Sequence, residues 1–295
     1  MSANQRLDRA FNNALRLPLH RGSRYVLFSD CHRGTGTSND NFLTNQHIYL
    51  AALKYYYEHQ YTYLELGDGD ELWENRKIEP ILDIYSNIFE LFQCFHRQNR
   101  IYLLYGNHDI VKKYPPYCKK HFSSYYCLEK QCKQPLFTDF HFHESLILEN
   151  TDSPANSIYL THGHQVSLLN SVFWPLARFL VRYFWLPLER IGFNDPTSAA
   201  TNYSVKKHAE GCLSNWASLN NYILITGHTH RPILHADHPA YFNTGSCVHP
   251  HTITCIELQG KTLSLVKWFM STRASQSVFI NRELMAGPFE IENET

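Results

Sequence analysis

Five short apolar runs, each closed by a cluster of Asp, Asn, Gly or His, constrain what this chain can fold into more than any other feature. Residues 24–29 lead into Asp30-Cys31-His32, residues 61–66 into Gly67-Asp68, and residues 101–105 into Gly106-Asn107-His108-Asp109. Residues 157–161 lead into His162-Gly163-His164, and residues 221–226 into Gly227-His228-Thr229-His230. Runs this short, rich in β-branched and aromatic residues and stopped by turn formers, read as buried strands. Residues 39–59 and 80–99 carry helical apolar spacing, with Ile81, Ile84, Tyr85, Ile88, Phe92 and Phe95 on one face of the second. Strands alternating with helices predict a parallel βαβαβ first half. From residue 138 short strands dominate, over 140–149, 157–161, 221–226, 241–244, 252–258 and 262–269.

In open α/β sheets ligands bind beyond the carboxyl ends of the strands, so the five clusters are expected to converge there. Residues i and i+2 of an extended segment point the same way, which lets Asp30 with His32, and His228 with His230, each aim two groups at one point. A lone Asp-x-His means little in a chain with 18 histidines, and Gly-Asp after a strand usually marks a turn. Five such clusters in succession, all at strand ends, would need five coincidences under a purely structural reading. The mixed imidazole, carboxylate and amide set suits Mn, Fe, Zn or Co better than Ca, and the lack of thiolate ligands argues against a structural zinc site.

In this order the clusters resemble the calcineurin-like metallophosphoesterases, whose motif series is Asp-x-His, Gly-Asp, Gly-Asn-His-Asp/Glu, a strand-end His and Gly-His-x-His. The resemblance spans roughly residues 24–270 and implies a four-layer α-β-β-α sandwich of two facing mixed sheets. It implies that Asp30, His32 and His230 bind one divalent metal, that Asn107, His162 and His228 bind a second, and that Asp68 bridges the two. Mn2+ is the first expectation for both, with Fe, Zn or Co as alternatives. Two ions about 3.5–4 Å apart would hold a bridging hydroxide in line with phosphorus. His108 would protonate the leaving oxygen or stabilise phosphoryl charge, and Asp109 would orient its imidazole. Arg33, Arg231 and Asn107 are the candidate substrate contacts, the two arginines through their planar donor forks; a solvated loop charge is the alternative for each arginine.

Gly67-Asp68-Gly69-Asp70-Glu71-Leu72-Trp73 and Gly227-His228-Thr229-His230-Arg231-Pro232 are similar to the branch containing UDP-2,3-diacylglucosamine pyrophosphatase. They are similar as well to bacterial proteins described as serine/threonine phosphatases without a defined substrate. The pyrophosphatases commonly carry arginine where this chain has His108, so the resemblance carries the wider reaction, hydrolysis of a phosphoester or pyrophosphate. A small, lipid-linked or nucleotide-linked substrate competes with a phosphomonoester such as a phosphoprotein, and a non-catalytic binding scaffold is the third class.

Residues 165–220 exceed what a loop needs and are read as a helical cap insertion within a single domain, 1–295. One helix is predicted between Pro175 and Pro187, with Arg178 and Arg182 on one face, and a second from 198 to 219 with Leu213, Trp216 and Leu219 near its end. Core packing, an apolar wall over the metals, and contact with a membrane surface through 171–193 are the competing readings. The segment is too short and too often charged to span a bilayer. A formal net charge of zero makes nucleic acid an unlikely partner. Residues 1–18 lack a signal-peptide pattern and place Leu7, Ala10, Phe11, Ala14 and Leu15 at helical spacing, as in a docking helix. With eight irregularly spaced cysteines, a cytoplasmic enzyme, peripheral to the membrane at most, is expected.

Overall fold

A computed structural model, which describes all residues except 38, 128, 152, 186–201, 236–239 and 292–295, assembles these strands into two mixed sheets. One runs β1 (Leu15–Leu19), β7 (Ser145–Asn150), β8 (Ile158–Thr161), β9 (Ile223–Thr226) and β10 (Tyr241–Asn243). The other runs β13 (Val278–Glu290), β12 (Thr262–Thr272), β11 (Thr252–Gln259), β2 (Arg24–Phe28), β3 (Thr62–Leu66) and β4 (Ile101–Leu104). A separate hairpin pairs β5 (Ser124–Cys127) with β6 (Cys132–Pro135). Strands β2, β3 and β4 are parallel, with Leu27 opposite Leu64 and Leu64 opposite Tyr102, while β11 joins β2 antiparallel.

Leu17, Leu27, Leu64, Leu104, Leu148, Leu160, Ile225 and Phe242 fill the space between the sheets. Helices Gln46–Glu58 and Ser86–Arg97 cover the outer face of the second sheet, burying Tyr49, Leu53, Tyr56, Ile88, Phe92 and Phe95. Helices Ala3–Asn12 and Tyr203–Asn220 cover the outer face of the first, where Leu7, Phe11, Leu213 and Trp216 meet Ile147, Leu224 and Tyr241. The result is a four-layer α-β-β-α sandwich of two facing mixed sheets, as the resemblance implies. Large buried aromatics such as Phe92 are each worth about 3–5 kcal/mol against truncation to alanine.

Several boundaries move for local reasons. The N-terminal helix ends at Asn12, and Leu15 starts strand β1, which pairs parallel with β7. The helix expected over 80–99 breaks at Tyr85 into Glu79–Ile84 and Ser86–Arg97. The strand expected over 140–149 is Ser145–Asn150. Pro175, unable to continue a helix from behind, instead starts one over Trp174–Leu180, followed by a π-helical turn over Val181–Trp185. The second helix of the insertion spans Tyr203–Asn220; Leu213 and Trp216 are buried, but Leu219 faces solvent. Pro187 and residues 186–193 of the suggested membrane-facing segment lie outside the described residues. Among the described residues no helix is long and apolar enough to cross a membrane.

Candidate metal centre

Both sheets send ligands to one edge. Asp30 and His32 follow β2, Asp68 follows β3, Asn107 follows β4, His162 follows β8, and His228 and His230 follow β9. Asp30, His32, Asp68, His228 and His230 all hold left-handed backbone, with φ of 52°, 47°, 51°, 70° and 55°. Left-handed non-glycine residues are uncommon and gather at sites where surrounding structure fixes them. The alternation of an extended strand is therefore not what aims these side chains; left-handed turns do. The turns are tied to one another: the Asp30 amide donates to Gly67 O at 3.1 Å, the His32 amide to Asp68 O at 2.9 Å, and the Cys247 amide to Asp30 O at 3.1 Å. The carboxylates brace neighbouring loops, Asp30 accepting from the His228 amide at 2.9 Å and Asp68 from the His108 amide at 2.7 Å. Gly227 is required here, because a Cβ would stand 2.3 Å from an Asp30 carboxylate oxygen.

Among the described residues three groups have ligand atoms within 4.8 Å of one another: Asp30 with His32 and His230, Asp68 with His162 and His228, and His32 with Glu71 and His108; the first two are the sets that the resemblance implies. Asp68 stands between them, its Oδ2 3.1 Å from His162 Nε2 and 3.7 Å from His32 Nε2. Asn107 Oδ1 joins the second group, 3.2 Å from His162 Nε2. The pair His228 and His230 is thus split between the groups, whereas Asp30 and His32 share one.

The chemistry of these atoms fits cations. His162 Nδ1 donates to Leu66 O at 2.9 Å, so the neutral ring turns the lone pair of Nε2 toward Asp68 Oδ2 and Asn107 Oδ1, atoms that also offer only lone pairs. His32 Nδ1 faces Glu71 at 2.9 Å, leaving Nε2 toward Asp30 and Asp68. Asp30 Oδ1 and His32 Nε2 are buried without a hydrogen-bond partner among the described residues. Buried acceptors facing one another without a donor are costly unless positive charge lies between them. Burial pushes His228 down to about 3, which keeps it neutral and ready to ligate. Burial opposes charge on His162, but Asp68 and Asp30 outweigh it and push the imidazole up to about 9, so a proton there competes with a metal for the same lone pair.

His108 lies beside the first group, its ring centroid 4.6 Å from that of His32. Its Nδ1 is 2.8 Å from Glu71 Oε2, the oxygen that also takes His32 Nδ1. Trp73 stacks on its other face at 4.3 Å. Burial disfavours its charge, yet Glu71 and Asp68 prevail and hold its pKa above the ordinary histidine value. Glu71 therefore orients the imidazole, and Asp109 does not. Asp109 is turned inward, accepting from the Gly106 amide at 2.7 Å, the Gly69 amide at 3.1 Å and Lys112 Nζ at 2.6 Å. Arg33 is likewise removed from the substrate side: it is 1% exposed, and its fork is committed to Glu65 at 2.8 Å and Asp70 at 2.7 Å. Arg231 is half-exposed and pairs with Glu210 at 2.7 Å, a helix residue that also takes the Thr229 hydroxyl. Glu71, Lys112 and Glu210 had no role in the sequence reading. A charged residue three positions after a cluster residue, as Lys112 follows Asp109 and Glu71 follows Asp68, was the available signal.

A search of curated proteins returned no match. Among solved structures, the crystal structure of Chaetomium thermophilum Vps29 aligns over 89% of this chain and 96% of its own, at 11% identity and a TM-score of 0.39. The family model for Calcineurin-like phosphoesterase matches residues 23–232, from the strand before the first ligand pair to the loop after the last. That span takes in well over half of the 295 residues, and the chain belongs to the calcineurin-like phosphoesterase family.

Proposed function

We propose that this chain hydrolyses a phosphoester or pyrophosphate bond with two divalent ions, Mn2+ foremost, and that its substrate is linked to a lipid or nucleotide. Asp30, His32 and His230 would hold one ion, Asn107, His162 and His228 the other, with Asp68 shared. Bound ions of this kind supply Lewis acidity and an acidified water. The chain supplies the rest. His108, whose pKa Glu71 holds above the ordinary histidine value and whose ring Trp73 confines, is the acid for the leaving oxygen, help typically worth about 10²–10⁴-fold. The guanidinium edge of Arg231 that Glu210 leaves free is the candidate phosphate contact.

The observation supporting the substrate class is how the insertion is fastened. Arg182 donates to the carbonyls of Leu72, Trp73 and Asn75 at 2.7, 2.7 and 2.9 Å, so its helical segment is held against the loop that carries Glu71 and Trp73. That segment exposes Val172, Phe173, Leu176, Phe179 and Phe184, each more than half exposed. An apolar surface anchored beside the acid suits a greasy leaving group better than a phosphoprotein. The test is hydrolysis, by metal-reconstituted protein, of chromogenic monoesters and diesters beside a UDP-sugar and an acylated pyrophosphate. Turnover abolished by Asp68→Ala supports the metal mechanism, and a KM that rises in Leu176→Ser for the acylated substrate alone supports the lipid reading. Preference for the monoester, indifferent to Leu176→Ser, would replace it with a phosphomonoesterase.

A further inference from the structure

A cavity of about 570 Å³ opens between helix Pro115–His121 and residues 137–142, and none of the candidate metal ligands lines it. Its walls are aromatic: Phe137 stacks on Phe140 at 4.3 Å, Phe142 meets Phe140 edge-on at 5.2 Å, and Phe122 meets Phe142 edge-on at 5.0 Å. Cys118, in the same wall, points its thiol at Lys112 O at 2.9 Å, and burial pushes that thiol up to about 11, so the wall stays uncharged. At the rim Lys119 is exposed and makes no ion pair among the described residues, of which Asp139 is the one acidic side chain lining the opening. The volume lies within the range of small-molecule sites, about 300–1,000 Å³. Rings in mixed stacked and edge-on arrangement favour a flat aromatic guest, and a free lysine at the mouth favours an anionic end.

The wall also touches the metal loops. Lys112 Nζ lies 4.9 Å from the Phe142 ring centre and 5.6 Å from that of Phe122, and it bonds Asp109 and Asp70 at 2.6 Å each. Asp109 in turn holds the amides of Gly69 and Gly106, the neighbours of Asp68 and Asn107. We infer that this cavity binds a small aromatic anion, and that its occupancy stiffens the Asp68 and Asn107 loops through Lys112 and Asp109.

The experiment titrates the full-length, metal-loaded chain with 8-anilinonaphthalene-1-sulfonate, following fluorescence together with hydrogen exchange in peptides containing Gly69 and Gly106. Because the dye also seeks exposed apolar surface, the double variant Phe173→Ser/Phe179→Ser separates the insertion from the cavity. Expected is one saturable site whose affinity falls about tenfold in Lys119→Glu, the loss of one charged contact, and disappears in Ser123→Trp, which fills the mouth from an exposed position. It persists in the double variant, and the exchange of both peptides slows on binding. Dye binding unchanged in Lys119→Glu and Ser123→Trp, or lost only in the double variant, overturns the site. Binding with unchanged exchange overturns the coupling. Lys119→Glu alone decides the matter should Ser123→Trp fail to fold.

Discussion

Replacing Glu71 by Gln tests whether one carboxylate governs both a metal ligand and the acid. Glu71 takes His32 Nδ1 at 2.9 Å, His108 Nδ1 at 2.8 Å and the amides of Trp73 and Glu74 at 3.1 and 3.2 Å. Gln keeps the shape but removes the charge and leaves one acceptor oxygen, so an NH₂ group must face either the two imidazole N–H groups or the amides of Trp73 and Glu74. Each charge-assisted contact is worth about 1.5–3 kcal/mol. Loss of such partners commonly costs about 10–100-fold in metal affinity or activity. Two separable effects are expected: metal affinity falls about 10–100-fold through His32, and kcat at saturating metal falls by a similar factor through His108. The assay is initial rate against metal concentration on a chromogenic diester, with metal binding measured by calorimetry. Since Glu71 holds the His108 pKa up, its loss should also move the alkaline limb of the kcat profile to lower pH. Glu71→Asp, which keeps the charge, should fall between. A Glu71→Gln protein with metal affinity and kcat both within about twofold of the parent would refute the reasoning.

His108→Ala should lower kcat by about 10²–10⁴-fold while leaving metal affinity unchanged, a split that rate and calorimetric data resolve together. Lys112→Met strips the charge between Asp109 and Asp70 and should cost about 3–5 kcal/mol in urea unfolding, with Asp109→Asn in the same chain recovering part; a loss under about 1 kcal/mol would count against the network. Burial above all pushes the phenols of Tyr25, Tyr61 and Tyr241 from 10.0 up to about 12. The folded chain therefore holds protons that the unfolded chain gives up, so stability from these groups is full below pH 10.0 and is lost as pH rises toward about 12, as denaturation at stepped pH will show. Saturating Mn2+ should raise the unfolding free energy by about 2.7 kcal/mol at a hundredfold excess over Kd, and Asp68→Ala should abolish that gain in a thermal melt.

Where apolar periodicity and turn chemistry act along one stretch of chain, the sequence was readable. Residues 101–105 followed by Gly106-Asn107-His108-Asp109 read as strand and site loop, and Ile101–Leu104 is strand β4 with that loop at its end. Contacts made sideways between loops were not readable. Asp109 sits next to His108 in the chain, but its carboxylate faces Lys112 and two glycine amides, while Glu71 reaches His108 from another strand's loop. Arg33 looked available because it follows a ligand pair; Glu65, a carboxylate inside a buried strand, needed a cation and was the overlooked sign of where Arg33 goes. Left-handed backbone at five ligands leaves no mark, since Asp and His carry no signal comparable to glycine. Strand β1 was hidden because Leu15–Leu19 contains Pro18 and continues the spacing of the helix before it. Strand β13 escaped because most of its residues are exposed and show no alternation.

The pairing of β2 with β11 has a consequence for the order of events during synthesis. Leu27 lies opposite Ile256, Asp30 is held by the amides of His228 and Cys247, and β1 waits for β7. Four of the candidate ligands, Asp30, His32, Asp68 and Asn107, lie in the first 107 residues, yet two of the loops that fix Asp30, those of His228 and Cys247, are not made until after residue 226. Contacts of such long sequence separation form late in folding. A nascent or truncated chain thus carries four of the seven candidate ligands without the geometry to use them, and a competent metal centre is the mark of a finished chain.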